Sequence, residues 1–415
     1  MLTSSSLENL ASVPQETGRK NGPSKFEVFL LFLPLIRITL FLRRNADNFT
    51  AIDSFALFDI AAMFFVGLYL LIVFYKLPWR KLFGSSMGWL LFYYIFCIFS
   101  FLWRVDGSSA PYIIYRAVSM NVQILYAFYV MSRFQNRKDA FDGLLKYVCI
   151  ILLLGLIGAI KTGGLANLHT NTYSFSAAVL AVLAMTSIKI GEKTFSQAVL
   201  YLFFGLAGLI LGTSGGSNVA FAMALCFILC IRKEGVNPLL VMFLPLAGIL
   251  IYEFFLPEFI QLLFPGKTTE GIMSGTGRMR MWEIYLDAWQ QSPWLGYGFC
   301  IGERAGSLFG YIYTLSAHNG YISVLINTGI AGAFFFGMFI LSSLLGMLKQ
   351  MTFGNSHVFP VIAAFIVIIV NNLSAPVIGS QWGVLPTVVL LVVAYFSLFC
   401  QNEPKSSASA DDASK

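Results

Sequence analysis

Two long stretches without a charged residue constrain this chain more than any other feature. Residues 194–231 and 358–402 run for 38 and 45 residues without Asp, Glu, Lys or Arg. A helix crosses the hydrocarbon core of a bilayer in about 20 residues, so each stretch is long enough to cross twice. Only 11% of the 415 residues are charged, against about 25% in soluble domains. A soluble fold is excluded, and the sequence predicts an all-α polytopic membrane protein.

Twelve apolar segments predict about twelve transmembrane helices. They lie at 26–42, 54–75, 87–103, 112–131, 143–160, 174–190, 196–212, 217–231, 237–256, 320–347, 357–373 and 383–400. Glycine and serine at 214–217, and the segment 371–381 with Pro376 and Gly379, divide the two long uncharged stretches.

The spacing of these segments divides the chain into five parts. A disordered cytoplasmic tail is expected at 1–25, helices 1–9 over 26–256, one large extracytoplasmic loop with short helices at 257–319, helices 10–12 over 320–400, and a second cytoplasmic tail at 401–415. The large loop is the one long connection, so chemistry outside the membrane is expected there.

The distribution of Lys and Arg predicts the orientation. With the N-terminus inside, 17 of the 27 basic residues fall on the cytoplasmic side and nine outside, while Arg37 lies within a span. The positive-inside rule then places both termini in the cytoplasm and the large loop outside. The net charge of +7 is interpreted as anchoring to anionic lipid, and no nucleic-acid partner is expected.

The large loop contains a pattern typical of an interfacial helix. Residues 277–291 follow a stretch of small residues and end before Pro293. Arg278, Trp282, Tyr285 and Trp289 recur at helical spacing and share one face. Arg278 is the preferred ligand-facing cation. Arg280 lies about 200° around the helix from it, and an ion pair with Glu283 is its structural alternative.

Two histidines lie in predicted outer loops. His318, followed by Asn319 and Tyr321, stands directly before an uncharged run at 320–348. A histidine at the water end of a span can act as a general base near neutral pH, although a structural role is the alternative. His169, with Asn171 nearby, is a weaker candidate.

Ionisable residues inside the membrane are further candidates, because their burial is costly. Arg37 and Asp59 are interpreted as a structural pair between neighbouring helices, and Arg116 lies near the outer end of the fourth span. No phosphate-binding loop, HExxH motif, Gly-x-Ser-x-Gly elbow or dinucleotide fingerprint occurs in context. Nucleotide-driven chemistry is therefore not expected, and no metal site is predicted.

Four groups of residues in order resemble the signature region of the O-antigen ligase/polymerase superfamily. They are Gly277, Arg278 and Trp282; Ser292, Pro293, Gly296 and Gly298; His318, Asn319 and Tyr321; and Asn327, Gly329 and Gly332. Weaker similarities are Arg104 with Arg116 downstream, and His169 with Asn171. The order, spacing and position of the groups together make the resemblance specific.

The resemblance implies a metal-independent, cofactor-free inverting glycosyltransferase on the outer face of a bacterial inner membrane. Such enzymes take a glycan from undecaprenyl pyrophosphate. In the family, arginines hold the pyrophosphate and a loop histidine assists the acceptor hydroxyl, which by position gives these roles to Arg278 and His318. Arg280, Arg116, Arg104, Asn319, Tyr321, Trp282, His169 and Asn171 are the expected substrate-binding residues.

One position departs from the family pattern. Members commonly carry an arginine between the seventh and eighth spans, where this chain has Thr213, Ser214, Gly215, Gly216 and Ser217. Backbone N–H groups at the start of the eighth helix, near Ser214 and Gly215, could supply an anion site instead. Arg116 or Arg104 could also compensate.

The leading hypothesis is a polymerase of lipid-linked repeat units for O-antigen or another surface polysaccharide. Its partners would be the undecaprenyl-pyrophosphate-linked glycan, a glycan acceptor, membrane lipid and a chain-length regulator protein. The alternative is a ligase that transfers glycan to lipid A-core, or a protein O-oligosaccharyltransferase. A lipid-linked glycan flippase is less favoured because the sequence shows no internal repeat.

Overall fold

The apolar segments fold as helices, because backbone within hydrocarbon must satisfy its hydrogen bonds inside the segment. A computed structural model describes residues 22–36, 54–105, 110–161, 170–232, 235–237, 278–303, 316–379 and 384–401. The helices are α1 Lys25–Phe32, α2 Ser54–Val73, α3 Trp79–Phe83, α4 Ser86–Phe99, α5 Ala110–Ser132, α6 Arg137–Lys161, α7 Thr170–Lys189, α8 Phe195–Gly212, α9 Gly215–Cys230, α10 Arg278–Gln291, α11 Gly320–Thr352, α12 Phe359–Asn371 and α13 Val384–Tyr395.

Short elements extend several of these helices. Turns of 3₁₀ helix follow α1, α2 and α4 at Leu33–Leu35, Phe74–Lys76 and Ser100–Trp103, and another precedes α12 at Ser356–Val358. A π-helical turn, Phe396–Cys400, follows α13. After α9, the two-residue strands β1 Ile231–Arg232 and β2 Gly235–Val236 pair antiparallel.

The all-α polytopic membrane fold is confirmed. Among the described residues, six helices are long and apolar enough to cross a membrane, and four more apolar helices have 10–17 residues. The total of twelve spans stays a prediction, since residues 37–42 of the first segment and 238–256 of the ninth lie outside the described part. So do most of both tails and much of the large loop.

The predicted breaks between spans are confirmed. The α8 helix ends at Gly212 and α9 begins at Gly215, with Thr213 between them in a left-handed conformation at φ 52°. The α12 helix ends at Asn371, before the irregular segment 372–379.

The centre of the bundle is α7, which packs against α6, α8, α9 and α12. Close packing is possible because α8 presents small residues to it. A Cβ atom on Gly205 would lie 2.7–2.9 Å from Ala181, and one on Gly208 2.7 Å from Ala177. Small residues let helix backbones approach within membranes, where van der Waals contact drives association.

One end of the bundle, here called the basic end, holds a network of charged side chains. His357 Nδ1 lies 2.5 Å from Glu192 Oε2, and His357 Nε2 lies 2.7 Å from an Arg137 nitrogen. Lys193 pairs with Asp142 at 2.5 Å. Burial raises the pKa of Glu192, but the hydrogen bond with His357 and the nearby positive charges outweigh it, so its pKa lies below the ordinary value.

A buried carboxylate near the same end anchors the first helix. Glu27 accepts a hydrogen bond from the Tyr129 hydroxyl at 2.6 Å and lies 3.6 Å from Arg133. It also forms a capping box with Ser24. This anchor holds α1 against α5.

Candidate functional site

The site lies at the opposite end of the bundle, here called the loop end, where α11 is broken. Gly329 has φ 61° and ψ −162° inside the helix. A regular helix would bond the N–H groups of residues 330 and 331 to the carbonyls of 326 and 327. Instead, the Ile330 and Ala331 N–H groups donate to the carbonyls of Pro293 and Trp294 at 2.8 and 3.0 Å.

The carbonyls freed by this kink find partners in the same segment. The Tyr297 and Gly298 N–H groups donate to the carbonyls of Ile326 and Asn327, each at 2.9 Å. Segment 292–298 is thus docked into the kink by four backbone hydrogen bonds. This arrangement explains physically why the second and fourth groups of the sequence signature occur together.

The docked segment also binds the end of α4. Trp103 Nε1 donates to the Leu295 carbonyl at 2.7 Å, and the Phe299 N–H donates to Ser100 Oγ at 2.8 Å. The segment therefore fixes the C-terminal end of α10 against two transmembrane helices. The helix itself is confirmed, since 277–291 was predicted and Arg278–Gln291 is observed.

His318 stands exposed in a turn that is held on both sides. Its φ is 48°, a left-handed conformation that only a few per cent of non-glycine residues adopt, histidine more often than most. On one side, Trp282 Nε1 donates to the Ala317 carbonyl at 2.8 Å. On the other, Asn319 caps α11 through its side-chain oxygen, and the Gly320 N–H donates to the Asn372 carbonyl at 2.8 Å.

Glu303, a buried carboxylate next to this turn, was not among the residues predicted from the sequence. Glu303 is 7% exposed. Its Oε2 accepts the Ala317 N–H at 3.0 Å, its Oε1 accepts Asn327 Nδ2 at 3.3 Å, and its carbonyl accepts the Tyr285 hydroxyl at 2.7 Å. The sequence gives no signal for it, because a loop glutamate without periodic neighbours cannot be distinguished from a solvated one.

Arg278 reaches from α10 to the segment that follows α12. Its guanidinium donates to the Ser374 carbonyl at 3.0 Å. Burial lowers the pKa of Arg278, but an arginine stays charged at neutral pH. In the described part of the chain no carboxylate pairs with it, so its positive charge remains available to a ligand.

The start of α9 joins the same group of residues. Ser214 Oγ donates to Asn171 Oδ1 at 2.9 Å, and Ser217 Oγ donates to Asn371 Oδ1 at 3.0 Å. A Cβ on Gly216 would lie 1.9 Å from Ser374 Oγ. Ser374 thus contacts both the α9 N-terminus and Arg278. The structure brings together four predicted residues: Arg278, Ser214, Gly215 and Asn171.

Several hydrogen-bond donors at this point have no acceptor in the part of the chain that the structure describes. Ser214 makes no side-chain cap, and the N–H groups of Gly215, Gly216 and Ser217 have no partner among the described residues. Asn371 is fully buried, and its Nδ2 is also without a partner there. Such a set of donors suits an anion, since a helix N-terminus also carries partial positive charge.

The remaining predicted arginines take separate places. Arg116 is buried, lies 3.5 Å from Asp59, and stacks on Tyr112 and Tyr115. Arg104 donates to the Phe101 carbonyl. Arg280 is exposed on α10.

Of the other predicted residues, Tyr321 is described by the structure, whereas His169 and Arg37 are not. The Tyr321 hydroxyl donates to the Ile369 carbonyl at 3.0 Å. His169 and Arg37 lie outside the described residues, so the predicted pairing of Arg37 with Asp59 stays a prediction. In the described ranges, no group of three or more His, Cys, Asp or Glu is placed to hold a metal ion.

Comparison with known proteins identifies the region that carries this geometry. Residues 200–337, about a third of the chain, match the family model Wzy_C, O-antigen ligase. The match spans the α9 N-terminus, α10, the His318 turn and the kink of α11. It confirms the predicted resemblance of this region to the O-antigen ligase/polymerase superfamily. No curated protein matches the sequence.

Proposed function

We propose that this protein polymerises lipid-linked oligosaccharide repeat units at the periplasmic face of a bacterial inner membrane. The reaction is an inverting glycosyl transfer from an undecaprenyl-pyrophosphate donor. The observation that carries the proposal is the convergence on segment 371–374 of Arg278, the α9 N-terminus and the turn of His318. These three converging elements all lie in the matched region, residues 200–337.

The donor's diphosphate is assigned to the α9 N-terminus and Arg278. The N–H groups of Gly215, Gly216 and Ser217 and the Asn371 amide, which have no partner among the described residues, supply directed hydrogen bonds. Arg278 supplies a permanent positive charge. This set of donors takes the place of the arginine that is missing at 213–217, and the charge it provides stabilises the leaving group without protonating it.

His318 is assigned to the acceptor. In the proposed step the acceptor hydroxyl oxygen attacks the anomeric carbon opposite the diphosphate. The new carbon–oxygen bond forms as the bond to the diphosphate oxygen breaks, and the hydroxyl proton passes to the His318 imidazole. Undecaprenyl pyrophosphate leaves with the bonding electron pair. General-base assistance of this kind contributes typically 10²–10⁴-fold to rate.

The test compares single substitutions in a deletion strain complemented from a plasmid. His318→Ala and Arg278→Ala, with insertion confirmed by immunoblotting of membranes, should abolish long glycan chains. Matched controls are Gln290→Ala, an exposed position on α10, and His357→Ala at the basic end. Normal chain length in the His318→Ala and Arg278→Ala strains would remove both residues from the mechanism.

The glycan profile of the deletion strain separates polymerase from ligase. Loss of a polymerase leaves lipid A-core carrying a single repeat, whereas loss of a ligase leaves polymer on the lipid carrier. We expect the single-repeat product. Stranded polymer would instead assign the protein as the ligase and leave the site assignment intact.

A further inference from the structure

We infer that Glu303 is a positioning residue that fixes the direction of the His318 side chain. The inference rests on the proposed role of His318 in the transfer reaction. Glu303 touches no part of the candidate anion site; it acts through the backbone of Ala317 and the side chain of Asn327.

His318 holds a left-handed backbone conformation. Residues with a Cβ adopt it at a cost, and such conformations persist where their surroundings hold them. Here Ala317, the preceding residue, is held at both of its polar backbone groups, by Glu303 at the N–H and by Trp282 at the carbonyl. Asn319 is held as the α11 cap. The residues on both sides of His318 therefore set the direction in which its side chain leaves the backbone.

The two carboxylate oxygens of Glu303 accept hydrogen bonds from two different parts of the site. One carboxylate oxygen accepts the Ala317 N–H and the other accepts Asn327 Nδ2. Asn327 is also the residue whose carbonyl accepts Gly298 from the docked segment. Glu303 therefore couples the His318 turn to the kink of α11.

Glu303 also contacts α10 through its backbone carbonyl. The Tyr285 hydroxyl donates to the Glu303 carbonyl at 2.7 Å, on the helix that begins at Arg278. His318, proposed to act on the acceptor hydroxyl, and the helix of Arg278, proposed to hold the diphosphate, are thus both linked to Glu303. A displacement of about 1 Å at a reacting group can cost about 10²-fold in rate.

The experiment measures kcat and KM of the purified full-length protein in detergent. The donor probe is the lipid-linked glycan that accumulates in the deletion strain. Glu303→Ala loses both acceptors, and we expect kcat to fall about 30- to 100-fold with KM nearly unchanged. Glu303→Gln keeps an acceptor for Ala317, because the Asn327 amide can turn to accept from the new Nε2. It should therefore retain kcat within about fivefold of wild type, because both hydrogen bonds can still form after the Asn327 amide turns.

A second pair of variants protects the test against simple misfolding. Asn327→Asp places two carboxylates face to face and should lower kcat at least tenfold, about 1.4 kcal/mol. Adding Glu303→Gln to it restores a donor and acceptor pair and should recover most of that loss. Recovery of activity by a second substitution cannot arise from an unfolded protein.

Hydrogen exchange supplies a readout independent of turnover. The Ala317 amide should exchange faster in Glu303→Ala than in wild type, and at the wild-type rate in His318→Ala. Wild-type kcat in Glu303→Ala beside an inactive His318→Ala would overturn the positioning role alone. Equal inactivity of Glu303→Gln and Glu303→Ala would overturn it by showing that the negative charge itself is needed. Wild-type kcat in His318→Ala would overturn the proposed function instead.

Discussion

Replacing Gly329 with alanine tests the kink that holds the loop against the membrane helices. Its φ of 61° and ψ of −162° lie in a region that is essentially restricted to glycine, and other residues there lose roughly 1–3 kcal/mol. A Cβ would also lie 2.4 Å from the backbone C and O of Trp294. The docked segment must then move away from α11.

The expected loss follows from the bonds that this movement weakens. Four backbone hydrogen bonds join segment 292–298 to α11, and each contributes about 0.5–1.5 kcal/mol. Losing two of them, together with the backbone strain, gives a destabilisation of about 2–6 kcal/mol. Because the segment fixes the end of α10, we also expect the polymer to shorten or disappear.

Gly337→Ala is the matched control, since it lies in the same helix and a Cβ there would meet no atom within 4 Å. Alanine in place of glycine in a regular helix should be neutral or stabilising by up to about 1 kcal/mol. The assay is thermal unfolding of both purified variants followed by tryptophan fluorescence, with the glycan profile of complemented cells. Coincident melting curves for the two variants, with normal glycan in both, would refute the docking argument.

Three further outcomes are expected. Gly216→Ala places a Cβ 1.9 Å from Ser374 Oγ and should reduce glycan polymerisation, and Ser374→Gly in the same chain should restore part of it, as read from gel profiles. Asp59→Asn leaves the buried Arg116 without its carboxylate and should lower stability by about 3–5 kcal/mol, seen as a lower melting temperature. The pKa of Glu192 is depressed below 4.5 in the folded protein, so its contribution to stability is present above that value and is lost as pH falls through the folded pKa. The melting-temperature difference between wild type and Glu192→Gln should be widest near neutral pH and should close below about pH 4.5; a constant difference would contradict the ion-pair assignment.

The helices and the loop helix could be predicted because their signals are local. Hydrophobic runs predicted α2 and α4–α9 to within six residues at each end, and the amphipathic spacing after Gly277 predicted α10 almost to its ends. The small residues at 214–217 marked the break before α9 for the same reason. Each of these features depends on neighbours along the chain.

The kink and Glu303 could not be predicted because their causes are not local. The uncharged run at 320–348 has the composition of one continuous span, and α11 breaks at Gly329 only because segment 292–298 supplies replacement hydrogen bonds. Glu303 is defined by contacts to α10, the His318 turn and α11. Neither set of partners can be read from the spacing of residues in the sequence.

The places where helices break are also the places where the candidate site forms. Broken backbone at membrane depth is tolerated only where it is buried in protein or lines a polar cavity, and three breaks meet at the loop end: before α9, after α12 and at Gly329. Polar side chains repair the first two breaks, and backbone groups of segment 292–298 repair the third. The side chains at the first two breaks are also placed to meet a charged headgroup. Substitutions at Asn371 or Ser217, which are buried and bonded to each other, should lower stability and activity together. His318 is exposed, so its removal should lower activity while the melting temperature stays near that of the wild type.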